Sequence, residues 1–191
     1  MALADQLVDD LLRRVRDQQG STHPRATVRD LLDRAQVLYV RHTGTLIRER
    51  TFTATPTRAL YPLDPTDTLR IVDIFVTDTQ ERLWPVHWQQ LVHQFGQLWW
   101  RTQRATGPTT WANVGTTLFA LWPAPTIAGG DIDLTIRDQR RPAALGDDTV
   151  EIELPAEYHP AMLDFCETVL LLRGRDAALA EALPAIEGQV A

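Results

Sequence analysis

The sequence predicts an α+β protein in which a helical bundle, made of two N-terminal helices and a long C-terminal helix, carries an inserted antiparallel β region. Two observations favour this fold class. Apolar residues recur at helical spacing in residues 1–44 and again after residue 155, whereas apolar and polar residues alternate with a period of two between them. Elements of one type are therefore grouped along the chain, as in α+β folds, and do not alternate as in doubly wound folds.

Two helices are predicted in the N-terminal part, residues 1–44. The first covers residues 3–17, because its apolar residues recur every three or four positions, and Gly20 ends it. The second begins at Thr27, which has Asp30 three residues on as a weak capping box, and ends at Thr43-Gly44. A loop of about ten residues between them indicates antiparallel neighbours.

The β region is predicted over residues 45–154. Strands are expected at residues 46–52, 58–63 and 69–76, the last continuing through a turn into a hairpin with residues 82–84. A short helix near residues 86–96 interrupts the strands, because Trp88, Leu91, Val92 and Phe95 lie at helical spacing before Gly96. Residues 101–106 are expected to form a polar loop.

Residues 107–136 are expected to form the centre of an antiparallel sheet. Strands at 109–112 and 116–122 meet at the corner Asn113-Val114-Gly115, and Pro123 and Pro125 stop the second. A turn at Gly129-Gly130 leads into a strand whose apolar residues alternate with polar ones. A last edge strand is predicted at 150–154.

The C-terminal part, residues 155–184, contains the longest helical pattern of the chain. The helix is predicted at 156–173 from the apolar stripe Tyr158, Met162, Leu163, Cys166, Val169, Leu170 and Leu172. This helix is expected to pack on the two N-terminal helices and complete the bundle. Residues 185–191 are expected to be a mobile tail.

Composition excludes several classes of function. The 191 residues carry a formal net charge of -6, and all 19 basic residues are arginine, so a phosphate-binding patch is not favoured and the runs 13–16 and 137–141 are expected to be solvated. Cys166 is the single cysteine, which excludes an internal disulfide and a cysteine-built metal site. Acidic residues at positions 5, 9 and 10 replace the apolar core of a signal peptide, so we expect a protein of a reducing cytoplasm.

Catalytic motifs are weak in this sequence. The five histidines form no HExxH motif. Asp131 and Asp133 face the same side of a predicted strand, and with one histidine they would suit a metal-dependent hydrolase. However, Gly129-Gly130-Asp131 is also typical of a tight turn, and no third oxygen ligand lies nearby, so a turn with a solvated edge is favoured.

Six tryptophans are the unusual feature of the composition: 84, 88, 99, 100, 111 and 122. They are expected to serve mainly in core and interface packing, since Trp88 and Trp122 lie on apolar stripes. A carbohydrate- or other ligand-binding β module, stacking sugars on exposed tryptophans, is the alternative. Trp99 and Trp100 cannot both face one side of an extended segment, so at least one of them is expected at a subunit or partner interface.

The order of several short motifs resembles the adaptor proteins of tailed-bacteriophage necks, the ring beneath the portal that joins the capsid to the tail. The motifs are Tyr61-Pro62-Leu63-Asp64, Leu69-Arg70-Ile71-Val72, Leu83, Trp88-Gln89-Gln90-Leu91, Gly107-Pro108 with Trp111, the run 118–125, and the run 154–159. The resemblance covers residues 27–183, and the order and spacing of the motifs carry it.

The resemblance implies a structural virion protein without enzymatic activity or cofactor, located in the neck after assembly in the host cytoplasm. Its partners would be the portal protein, a tail-side neck or nozzle protein, and further copies of itself in a dodecameric ring through which DNA passes without specific binding. It also implies that the segment after Gly174, with Leu179, Leu183 and Ile186, docks onto the portal. A net acidic chain suits a DNA channel, and Asp5, Asp9, Asp10 or Asp147-Asp148 are the residues expected to face it.

Overall fold

The computed structural model describes residues 3–146 and 150–175. In these residues the protein is mixed helix and sheet, so the predicted α+β class is confirmed. The elements in chain order are α1 (Ala4–Arg14), α2 (Arg25–Thr43), β1 (Ile47–Ala54), β2 (Leu60–Pro62), β3 (Thr68–Val76), β4 (Trp84–Pro85), α3 (Trp88–Phe95), α4 (Trp99–Thr102), β5 (Arg104–Ala105), β6 (Thr110–Val114), β7 (Leu118–Trp122), β8 (Ala124–Pro125), β9 (Ile132–Arg140) and α5 (His159–Arg175). None of the helices in the described ranges has the length and hydropathy needed to cross a bilayer.

The chain divides into two compact units. One unit is formed by the two terminal segments of the chain, Met1–Leu46 and Pro142–Ala191, and contains α1, α2 and α5. The other is Ile47–Arg141 and contains all the strands together with α3 and α4. In the order of the sequence, the β unit is thus inserted between the two parts of the helical unit.

In the helical unit, α1, α2 and α5 contact one another in pairs. Their apolar stripes are buried, including Leu7, Leu11 and Leu12 of α1, Leu31 and Leu32 of α2, and Met162, Cys166 and Leu170 of α5. Burial raises the pKa of the Cys166 thiol to about 12, so this cysteine is a neutral apolar side chain, as its position in the stripe predicts.

The loop between α1 and α2 is organised by one carboxylate. The first helix was predicted to extend to residue 17, with Gly20 as its stop, but α1 ends at Arg14. Arg16 then adopts a left-handed conformation with φ of 59°. Asp17 then accepts hydrogen bonds from the backbone N–H groups of Ser21, Thr22 and His23, at 2.9, 2.8 and 2.6 Å. The predicted start of α2 at Thr27 is also wrong, since α2 begins at Arg25, directly after Pro24.

The segment that leads to α5 is held by two polar side chains of α2. Gln36 is fully buried; its amide donates to the carbonyl of Ala143 and its oxygen accepts from the backbone N–H of Glu153. Asp33 accepts from the backbone N–H of Leu145 at 3.0 Å. The predicted edge strand at 150–154 does not form, and a single bridge between Leu3 and Glu151 takes its place. Side-chain hydrogen bonds to α2 here replace the ladder of a strand.

The β unit has two main sheets. One is antiparallel, in the order β1-β9-β3, and the other has the order β2-β7-β6-β4. The predicted hairpin of β6 and β7 is present, but β9 belongs to the other sheet, so residues 107–136 do not form one sheet. The pairs β4-β6 and β5-β8 are short and parallel, which the alternation pattern does not predict. The Gly129-Gly130 turn is present, and a Cβ on Gly129 would clash with the carbonyl oxygen of Thr106.

The larger core of the β unit contains residues of both sheets. Phe52 of β1, Tyr61 of β2 and Phe119 of β7 form an aromatic cluster whose ring centroids are 5.0 to 5.5 Å apart. Along β7, Phe119 and Leu121 belong to this core, whereas Ala120 belongs to a second core with α3 and α4. The period-two alternation of the strand thus gives the four-stranded sheet two covered faces.

A buried ion-pair network lies in the three-stranded sheet. Asp138 of β9 is fully buried, although residues 137–141 were expected to be solvated. Its carboxylate accepts from Arg48 Nε at 2.9 Å and from Thr68 Oγ1 at 2.9 Å, and Arg50 Nε lies 3.0 Å away. Arg48 also donates to Asp67, which lowers the pKa of Asp67 and raises that of Arg48. The alternation of β1 places Arg48 and Arg50 on its inner side, where they pair with Asp138.

Candidate functional site

The tryptophans divide into buried and accessible groups, all within the β unit. Trp99 and Trp111 are 2% and 4% exposed, and both belong to apolar cores. Trp84 is 68% exposed and Trp88 36%, so Trp88 is more accessible than its place on an apolar stripe predicts. Trp100 is half-buried. The expectation that Trp99 or Trp100 contacts a partner stays a prediction, and Trp100 is the accessible member of the pair.

The local sequence explains why Trp99 and Trp100 point in different directions. Gly96 ends α3 with a φ of 80°, and its N–H donates to the carbonyl of Val92. The short α4 follows, so residues 99 and 100 lie on a helix about 100° apart and not on a strand. Trp99 packs on Ala112 and Ala120, whose small side chains leave room for the indole, and the two indole rings meet edge to face at 5.7 Å.

An apolar cavity of about 420 Å³ lies beside these rings. Most of its lining is aliphatic or aromatic: Leu60, Trp88, Val92, Trp99, Trp100 and Val114, with Gln97 as the polar member. A cavity of this size and lining is suited to hold apolar side chains of a ligand or of a partner protein.

A second cavity of about 410 Å³ shares Leu60 and Trp100 with the first. Its lining includes the exposed residues Arg58, Arg101 and Arg104 and contains no carboxylate. We call the two adjoining cavities the Trp100 groove. Three positive charges beside an apolar cavity, in a chain with net charge -6, make this groove suited to an acidic and apolar partner.

The three arginines of the groove are differently engaged. Arg58 lies over the ring of Tyr61, with its Cζ 5.2 Å from the ring centroid, and its Nε donates to the carbonyl of Leu60 at 2.8 Å. Among the described residues, neither Arg101 nor Arg104 forms an ion pair with a carboxylate. Their positive charges are therefore available to acidic groups other than those of the described residues.

Two indole N–H groups of the four-stranded sheet are buried without an acceptor in the described parts of the chain. They belong to Trp111 and Trp122. Trp111 also lines a shallow cavity with Pro85, Val86 and Asn113. A buried donor without a partner costs about 1–3 kcal/mol.

The residues considered for hydrolysis do not converge. Asp131 and Asp133 are exposed, and Asp133 accepts a hydrogen bond from Thr53 Oγ1 at 2.7 Å. Within residues 3–146 and 150–175, no three His, Cys, Asp or Glu side chains lie close enough to hold a metal ion. His159 is buried and bonds to the carbonyl of Leu154, and His87 Nδ1 accepts from Gln89 N at the start of α3. Both histidines therefore have structural partners.

The residues assigned to the portal and to the channel are only partly described. Leu179, Leu183 and Ile186, the tail 185–191, and Asp147-Asp148 lie outside the described residues. On α1, Asp5 and Asp9 form ion pairs with Arg25, and Asp10 pairs with Arg13 at 2.9 Å. The three carboxylates of α1 are thus paired with arginines.

The sequence alone does not predict that three arginines meet in the Trp100 groove. Residues 101–106 have the composition of a polar loop, and Arg58 is 43 positions from Arg101, so no local pattern connects them. Trp84 was also not distinguished from the other tryptophans, although a tryptophan directly before Pro85 is typical of an edge strand, where one side chain faces solvent.

Comparison with known proteins identifies the family. A family model described as SU10 adaptor protein matches residues 4–187, which is nearly the whole chain and includes both units. Among curated proteins, none matches the sequence significantly. Because one family model accounts for the helices and the β region together, the chain belongs to the SU10 adaptor protein family.

Proposed function

We propose that this protein is the adaptor of a bacteriophage neck, a structural virion component that forms a dodecameric ring, joins the capsid portal to the tail and lines part of the DNA channel. The family match over residues 4–187 carries this proposal. An adaptor family implies contacts with other virion proteins, and we propose the portal on one side and a tail-side neck or nozzle protein on the other. No catalytic role is proposed.

The β unit supports the proposal with surfaces suited to protein contacts. Trp84 and Trp88 are exposed, and the Trp100 groove is open to solvent. Aromatic side chains and arginine are enriched at protein interfaces, and heterologous contacts between copies form a ring when the rotation from one copy to the next closes. The helical unit, in which α1, α2 and α5 contact one another, would form the helical bundle of the subunit.

The acidic balance of the chain supports the proposed channel. A formal net charge of -6 weakens any grip on DNA phosphates, so DNA would pass without specific binding. The candidates that we propose to face the channel are Asp5, Asp9, Asp10 or Asp147-Asp148.

The alternative of a carbohydrate- or ligand-binding β module is not favoured. It is based on exposed tryptophans alone, whereas the family match extends over the helices as well. Glycan titration that leaves the tryptophan fluorescence unchanged is the expected result.

Portal docking through the C-terminal segment is tested in the full-length chain. Leu179→Asp with Leu183→Asp should raise the Kd for purified portal at least about tenfold, because burial of one leucine contributes about 1.5–3 kcal/mol. Ile127→Asp is the control, since Ile127 is a highly exposed aliphatic residue elsewhere in the chain. Equal Kd values for all three proteins would contradict docking by this segment.

A further inference from the structure

We infer that the Trp100 groove is the docking site for a short segment of another protein, in which carboxylates stand beside aliphatic side chains. The inference deepens the proposed adaptor function, on which it rests for the expectation that the partner is a second virion protein. Every residue that lines the groove belongs to the β unit, so the site is complete within one compact unit. The chemistry of this lining selects the occupant.

The charge of the groove calls for acidic groups on the partner. Arg58, Arg101 and Arg104 line one cavity, and no carboxylate belongs to that lining. Among the described residues, Arg101 and Arg104 have no carboxylate partner. The acidic excess of the chain lies outside the β unit, since residues 47–141 contain ten arginines and nine acidic residues. Opposite charges across an interface therefore favour an acidic segment over a neutral or basic one.

The adjoining cavity calls for aliphatic groups on the same segment. It is lined mainly by aliphatic and indole carbon, and Trp88 and Trp100 are both accessible there. Leu60 and Trp100 line both cavities, so the apolar and the basic parts of the groove are contiguous. A segment that fills both parts therefore carries aliphatic and acidic side chains side by side. Burial of the aliphatic groups supplies affinity, and the arginines supply specificity.

The groove recognises side chains and does not accept an added strand. β2 is an edge strand of the four-stranded sheet and contributes Leu60 to the wall of the groove. Strand addition uses the backbone groups of such an edge. However, the carbonyl of Leu60 already accepts a hydrogen bond from Arg58 Nε at 2.8 Å, and Pro62 has no N–H to donate. The docked segment is therefore held by indole, aliphatic and guanidinium groups.

A twofold contact with a second copy of the chain does not suit the groove. Such a contact uses the same surface on both copies, so it would bring the groove arginines of one copy against those of the other. Like charges facing one another across an interface are unfavourable. A different protein meets the groove without this repulsion, and an adaptor family implies contacts with other virion proteins.

Peptide selection on the full-length protein tests which chemistry the groove accepts. A random library of displayed peptides is selected on the immobilised wild type and, in parallel, on Arg101→Glu with Arg104→Glu. The wild type should enrich peptides with Asp or Glu beside Leu, Ile or Val, and the reversed protein should enrich Arg or Lys beside the same aliphatic residues. Both arginines are exposed, so the reversal should preserve the fold, which the Tm of each protein checks.

The affinity of the most enriched peptide, synthesised without its display scaffold, tests the basic cavity. Its Kd should rise at least about tenfold in the Arg101→Glu, Arg104→Glu protein, because two attractive contacts become repulsive. Arg34→Glu with Arg41→Glu is the control. It makes the same change of net charge at two exposed arginines of α2 and should leave the Kd unchanged.

Two tryptophan variants test the apolar cavity with the same peptide. Trp88→Ala removes part of the apolar wall and should raise the Kd at least about fivefold, since aromatic anchors carry a large share of binding energy. Trp84→Ala is the matched control, because Trp84 is 68% exposed and lines neither cavity of the groove. Its Kd should equal that of the wild type.

Three results would overturn the inference. The first is a selection that enriches no acidic and aliphatic peptides on the wild type, or enriches them equally on the reversed protein. The second is a Kd that rises as much in the α2 or Trp84 control as in the groove variants. The third is self-association of the protein alone that the Arg101→Glu, Arg104→Glu reversal abolishes, since it would give the groove to a second copy. The peptide measurements use no portal, so a failure here and a failure of the proposed adaptor function are distinguishable.

Discussion

Asp17 shows how one side chain can determine a loop. Its carboxylate accepts hydrogen bonds from the backbone of His23, the Ser21 hydroxyl, and the backbone of Thr22 and Ser21. These donors favour the charged form and hold the pKa of Asp17 at about 2, below the ordinary value of 3.8. The loop between α1 and α2 therefore depends on an ionised carboxylate.

This dependence predicts a pH effect on stability. Because the pKa is lower in the folded than in the unfolded protein, the stabilisation is complete above pH ~4 and is lost as the pH falls toward 2. Asp17→Asn should lower the Tm at pH 6, and its difference from the wild type should shrink between pH 4 and 2. Asp30→Asn, which removes an exposed carboxylate of α2, controls for charge alone. A Tm difference for Asp17→Asn that stays constant from pH 6 to 2 would contradict this role.

At the scale of elements, the Asp138 network joins β1, β9 and the start of β3. Arg48 lies on β1 and Thr68 on β3, and both donate to the Asp138 carboxylate on β9. Arg48 also reaches Asp67, at the turn before β3. Since Asp138 is buried, these donors take the place of water at its carboxylate.

Removing the central carboxylate should therefore be costly. Asp138→Asn is expected to lower the free energy of unfolding by about 2 kcal/mol, less than for a fully buried pair because the arginines are about one-third exposed. Glu49→Gln is the control on the same strands, since Glu49 pairs with Arg137 at the surface, and it should cost less than about 0.5 kcal/mol. Urea unfolding measures both. Equal losses for the two variants would contradict a special role for Asp138.

The sequence predicts the individual helices and strands better than it predicts which strands pair with one another. The apolar stripes of α1, α2 and α5 and the alternation of β1 and β7 are local signals, and those elements form. By contrast, β9 pairs with β1 and β3 and not with β7, and this pairing depends on long-range contacts. One of them joins Arg48 and Asp138, which lie 90 positions apart in the sequence. For the candidate site, the composition already shows that the chain is rich in tryptophan. It does not show that Trp100 lies near Arg58, because several reversals of the chain bring these two residues to the same cavity.

At the scale of the whole molecule, the family match and the surface properties agree. The chain belongs to the SU10 adaptor protein family, and its overall charge is acidic. Its accessible tryptophans and the three arginines of the Trp100 groove lie in the β unit. These properties suit a subunit that binds other proteins and does not grip DNA.

Light scattering of the purified protein, alone and mixed with purified portal of the same phage, tests the adaptor function most directly. We predict that portal converts the protein into a complex whose added mass corresponds to a ring of adaptor copies on each portal. The same mixture with the Leu179→Asp, Leu183→Asp protein should show little added mass. A wild-type protein whose mass is the same with and without portal would contradict the proposed function.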